Sequence, residues 1–187
     1  MITKEWVNKK KKELRDKGLP DQLRKITIGG NVYVIRAVTY KEYSDLEAKY
    51  VSGNPKIKAL ESDEEVKRLR DLQNKVSNMI IETLQAKGGM SQKEYEEYML
   101  NPDLLLSGRK DYKAIRDEYN ELTRKVSAKI DKITLESMEQ FNKALIKTAL
   151  VYPDVDVESL PAFAIEHLIK AIEELSGSTT DVVVEPL

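Results

Sequence analysis

Cysteine is absent from the 187 residues, and histidine occurs once, as His167. The first absence excludes thiol catalysis, disulfide staples and zinc–thiolate sites. The second excludes a multi-histidine metal centre and a histidine pair. Phenylalanine is scarce, at two, against nine tyrosines. No apolar run approaches the roughly 20 residues that a membrane-spanning helix needs. The opening MITKEWVNKKKK has no apolar stretch of the kind that marks a secretory signal. No membrane partner is expected.

An excess of one charge sign is also missing. Lys and Arg number 31 against 32 Asp and Glu, with 34% of residues charged. Balanced charge at this density predicts exposed helices laced with ion pairs, and nucleic acid is not an expected partner. The charge is nonetheless unevenly placed. Residues 1–25 hold nine Lys/Arg and four Asp/Glu, a net of +5, while residues 154–187 hold eight Asp/Glu and one Lys, a net of −7. Lys9 to Lys12 occupy consecutive helix positions and face all ways, so they read as a solvated terminus. The length suits one domain, with or without a helical arm.

What is present is mostly helical periodicity. Thr3 to Lys17 reads as a short basic helix with Trp6, Val7 and Leu14 as its apolar residues, stopped by Gly18-Leu19-Pro20. Next, Ile26 and Ile28, then Val32 to Ala37, alternate as two strands around Gly29-Gly30-Asn31, a hairpin signal. A lone hairpin is marginal, so it must pack on a helix or join a sheet, and its free edge can accept a strand. Thr39 and Glu42 have capping-box spacing, and Tyr43, Leu46 and Tyr50 follow on one face. Ser62 and Glu65 predict a second capped helix with the stripe Val66, Leu69, Val76, Ile80 and Leu84. Ser91 and Glu94 cap a short piece bearing Tyr95, Tyr98 and Met99. NPDLLLSG reads as a loop whose Leu104, Leu105 and Leu106 must be buried or await a partner.

A long helix is predicted from about Lys110 to Val151. Tyr112, Ile115, Tyr119, Leu122 and Val126 keep heptad spacing. Ile130, Ile133, Phe141 and Leu145 continue it after a one-residue phase shift near Lys129. That shift fits a coiled-coil stutter or a helix that changes packing partner midway. Tyr152-Pro153 breaks it, and a wide apolar face predicts a buried final helix from Ala162 to Leu175, with Ser159 as N-cap and Pro161 in its first turn. The tail DVVVEPL reads as disordered or as a strand for a sheet edge.

No constellation carries chemistry. Gly29-Gly30 is too short for a nucleotide fingerprint and leads into a strand. Asp154, Asp156 and Glu158 alternate like metal ligands, but lack the glycine and terminal glutamate of a calcium loop, and read as acids ahead of a helix N-terminus. His167 has no triad spacing around it and reads as a packed or surface residue. Neither enzymatic activity nor a cofactor is expected. The tyrosines suit half-buried positions, either at the margin of a core or in a protein interface.

Two blocks together resemble small tail-assembly proteins of long-tailed bacteriophages. ITIGGNVYVIRAVTYKEYSDLE contributes Tyr33, Arg36, Thr39, Glu42 and Tyr43. ALVYPDVDVESLPAFAIEHLIKAIEELSG contributes Tyr152, Pro153, Leu160, Pro161, Ala162, Leu168, Ile172, Ser176 and Gly177. The blocks cover about a quarter of the chain. The resemblance implies a non-enzymatic protein that binds other phage tail or baseplate proteins during assembly, in the host cell cytoplasm, or that is itself a structural part of the virion tail. A cytosolic coiled-coil adaptor is the further alternative.

The expected fold is therefore mainly α: a head of residues 1–54 and 151–187, with one β-hairpin packed on helices, and a long antiparallel helical hairpin arm over 55–150. Self-association through that arm is an additional expectation. The candidate partner-binding residues are Tyr33, Arg36, Tyr43, Tyr95, Tyr98, Leu104, Leu105 and Leu106.

Overall fold

The computed structural model describes residues 2–88 and 91–177; DVVVEPL lies outside them. The protein is mainly α, about 72% helical, with a small antiparallel sheet. It divides into two compact units. One takes residues 2–54 and 135–177, and the other takes the described residues of 55–134. The units divide between Asn54 and Pro55 and again between Thr134 and Leu135, so residues 135–150 pack with the first unit.

In the first unit, α1 (Lys4–Asp16) starts at Thr3, whose hydroxyl accepts from the Trp6 N–H at 3.2 Å. Strands β1 (Leu23–Ile28) and β2 (Asn31–Arg36) follow. Asn31 pairs with Ile28, so the turn is Gly29-Gly30 alone, with φ of 56° and 82°. Two successive positive φ values define the turn that matches strand twist. The sheet gains a third strand that periodicity did not predict: β3 (Leu150–Tyr152) pairs antiparallel with β2. The long helix thus ends at Ala149, two residues early. Pro153 disfavours helical backbone in the residue before it, and Leu-Val-Tyr finds ladder partners instead.

β2 is central and buried on both faces. Tyr33 and Ile35 join Ile28, Phe141, Leu145, Ile146, Leu168 and Ile172 in one core. On the other face Val34 pairs with Tyr152, and Trp6 of α1 meets the Tyr152 ring edge-on, 5.9 Å between centroids. Helix α8 (Ala162–Leu175) buries Ala164, Leu168, Ala171 and Ile172. Its N-cap is Pro161, not Ser159; the Ser159 hydroxyl donates to the Asp156 carbonyl, inside a 3₁₀ turn at Val157–Ser159.

Helix α2 (Tyr40–Glu47) has the predicted capping box of Thr39 and Glu42 and then widens into a π-helical turn, Ala48–Ser52. A Cβ on Gly53 would collide with the Ala48 carbonyl oxygen, so only glycine fits there. A π-type bond to the Tyr50 carbonyl would need an N–H from residue 55, which is proline. Asn54 Nδ2 donates to that carbonyl instead, at 3.2 Å, and so does the Ser137 hydroxyl. Both residues are buried.

The second unit holds α3 (Pro55–Leu60), α4 (Glu64–Ala86), α5 (Gln92–Leu100) and α6 (Asp103–Leu106), with the N-terminal part of α7 (Lys110–Ala149). The α4 N-cap is Asp63 rather than Ser62: its carboxylate accepts from the Glu65 and Val66 N–H groups, while Ser62 turns back to the Ala59 carbonyl. Cross-helix bonds set the start of α4 against residue 129 of α7, its middle against residues 118 and 119, and Thr83 near its end against Arg109, just before α7. Lys129 donates to Asp63 and Glu65 at 2.7 and 2.8 Å, Arg68 to Glu118 at 2.6 Å, and Gln73 to the Tyr119 hydroxyl at 3.3 Å. That order defines an antiparallel helical hairpin. Met79, Ile80, Leu84, Leu106 and Tyr112 form its core.

Candidate protein-binding groove

The NPDLLLSG segment is not a loop. Its Asp103–Leu106 stretch is the one-turn helix α6, and the three leucines divide. Leu106 is fully buried in the second core and Leu105 packs beside it. Leu104 points out, 58% exposed. Capped by Ser91 and Glu94 as predicted, α5 lays Tyr95 and Tyr98 on the same core. Its last two residues, Met99 and Leu100, are 38% and 88% exposed. The junction therefore presents three apolar side chains to solvent within six residues.

Beside that junction, α4 and α7 leave a groove of about 560 Å³. Met99, Leu100 and Pro102 stand along it, and Ile80 and Tyr112 line its buried side. The remaining lining is largely uncharged and polar: Gln73, Asn74, Asn101 and Asn120 amides with the Ser77 and Tyr119 hydroxyls. Its two charges compensate one another, because Arg116 lies 3.4 Å from Asp103. Asp103 also accepts from the Tyr112 hydroxyl at 2.8 Å. Burial, then that hydrogen bond, pushes the Tyr112 phenol up to about 12, so it stays a neutral donor at pH 7. Carboxamides donate and accept, so this lining can bond an entering peptide backbone while the apolar rim takes side chains.

The first-unit candidates are placed differently. Tyr33 is 3% exposed and belongs to the core. Arg36 is 6% exposed; its guanidinium donates to the Glu42 carboxylate at 2.6 and 3.0 Å and to the Ala37 carbonyl at 2.9 Å. The Arg36 bond holds the Glu42 carboxyl below the usual carboxylate range. Tyr43 is one-third exposed, its ring edge-on to Phe141 at 5.3 Å. These side chains secure the α2 start and the sheet, whereas Tyr95, Tyr98 and Leu105 pack on the second core and Leu104 is exposed on α6; none of the four lines the groove.

A second cavity, of about 720 Å³, lies in the first unit among Lys143, Lys147, Asp154 and Glu158. Lys143 bridges Glu139 and Glu158 at 2.7 and 2.6 Å, and Asp156 caps the 3₁₀ turn. Two of the three alternating acids, Asp156 and Glu158, thus have structural partners. His167 is exposed on α8. Among the described residues no three metal-ligating side chains cluster, and no helix is long and apolar enough to cross a membrane.

Sequence reading missed Leu100, Arg116 and the four amides. Leu100 beside Asn-Pro was the available signal, an apolar residue at a helix end. The amides gave none, since exposed Gln and Asn look solvated until the fold brings them together. No protein-family model matches the chain, and no curated protein or solved structure is significantly similar to it.

Proposed function

We propose that this chain is a non-enzymatic protein-binding factor of bacteriophage tail or baseplate assembly, acting as an assembly chaperone in the cytoplasm of the producing cell. One observation carries the binding role: the exposed Met99, Leu100 and Leu104 beside an amide-lined groove. Apolar side chains gathered at a concave polar site mark protein contact rather than simple solvent exposure. The assembly role rests on the resemblance of the two sequence blocks. Their convergence in one unit supports it: Tyr33, Leu168 and Ile172 share a core, and the Val38 N–H donates to the Ser176 hydroxyl at 3.0 Å.

A photo-crosslinking residue at position 100, introduced in cells producing the particles, tests the proposal. The expected product is a covalent adduct with one tail or baseplate protein, lost when Met99 and Leu104 are both changed to Ser. An adduct with no tail protein, at full expression of the folded chain, contradicts the proposal.

A further inference from the structure

The hairpin register determines what β1 offers outward. With a two-residue turn, Ile28 and Asn31 form a hydrogen-bonded pair, and such pairs alternate along an antiparallel ladder. Ile26 and Arg24 therefore turn their backbone groups toward β2. Leu23, Lys25 and Thr27 turn theirs to the other side. Among the described residues β1 pairs with β2 alone, in the order β1-β2-β3, and no turn or loop bond reaches the N–H or C=O of Lys25 or Thr27. Both residues are exposed. The edge is thus open.

Charge selects among possible occupants. Lys25 makes no ion pair among the described residues, while Arg24 is held by Glu174 at 3.1 Å. Lys25 is the partner of Val34 and shares the sheet face that α1 covers. It ends the block of residues 1–25 that carries a net of +5. Two β1 strands paired about Lys25 would oppose like charges, and an edge lysine is a device against such self-pairing. An acidic strand meets the opposite condition.

We propose that the outer edge of β1 docks an extended, acidic, β-branched segment of a partner protein, which adds as a fourth strand to the sheet. The ladder bonds come from Lys25 and Thr27, and an acidic side chain opposite Lys25 sets the preference. This site is independent of the groove in the other unit.

The test is titration of the full chain, observed by ¹H–¹⁵N NMR, with a hexapeptide alternating valine with aspartate or glutamate. Shifts centred on residues 23–28 are expected. Affinity should fall at least tenfold in Lys25→Glu and in 0.5 M salt, and binding should vanish in Thr27→Pro, which removes an outward N–H and no internal bond. Lys25→Glu keeps the backbone edge, so it decides the matter if Thr27→Pro fails to fold. No binding at millimolar peptide, or equal affinity for a valine–lysine hexapeptide, overturns the proposal. So does a gain in affinity in Val183→Pro, which would assign the edge to this chain's own segment.

Discussion

Arg36 is buried and, among the described residues, is answered by the Glu42 carboxylate, which also accepts from the Thr39 N–H at 3.0 Å. Truncating Glu42→Ala leaves a desolvated guanidinium without its anion. The expected loss is about 3–5 kcal/mol, the range for breaking a buried pair, measured by urea unfolding. The same group makes stability depend on pH. Its folded-state pKa is depressed, so its contribution is complete above the unfolded value of about 4.3. It is lost as pH falls through the lower folded value. Glu42→Gln should flatten that part of the melting-temperature profile below about pH 4.5 relative to the parent; an unchanged acid slope would mean the pair does not report on folding. Gly53→Ala should cost more than about 1 kcal/mol, because the backbone cannot accept a Cβ against the Ala48 carbonyl.

Whole elements were legible in the sequence where side-chain period and caps agreed. Thr39 with Glu42 and Ser91 with Glu94 are local signals, satisfied within four residues, and both capping boxes form. Helix α7 supplies Tyr112 and Ile115 to one core and Phe141, Leu145 and Ile146 to the other, while Ile130, which opens the shifted stripe, is exposed. β3 was hidden because three residues cannot show a period, and its partner lies more than a hundred positions away. The π turn was hidden because it depends on Ser137 and Asn54 reaching one carbonyl. Core substitutions test the elements themselves. Leu168 is fully buried on α8, and Leu168→Ala should cost roughly 2–5 kcal/mol. A loss below about 0.5 kcal/mol, the range of surface changes, would remove α8 from the core. By contrast Leu100→Ser should leave stability within about 0.5 kcal/mol while weakening partner capture, since Leu100 is exposed.

At the scale of the molecule, two units carry two separate cores, one around Leu145 and Leu168 and one around Ile80 and Leu106. Ile80→Asp should therefore strip amide-exchange protection from 64–86 and 103–126 more than from 28–38 and 141–172. Equal loss everywhere would mean that a single cooperative unit spans both cores. The groove belongs to the second unit and the open β1 edge to the first, so each proposed binding role can be tested without disturbing the other. The assembly role is tested most directly by quantitative mass spectrometry of purified mature particles and of the cells producing them, calibrated against a known tail protein. An assembly chaperone is abundant in the cells and absent from finished particles. Stoichiometric presence in the particles would contradict that role and make the chain a structural subunit of the tail or baseplate.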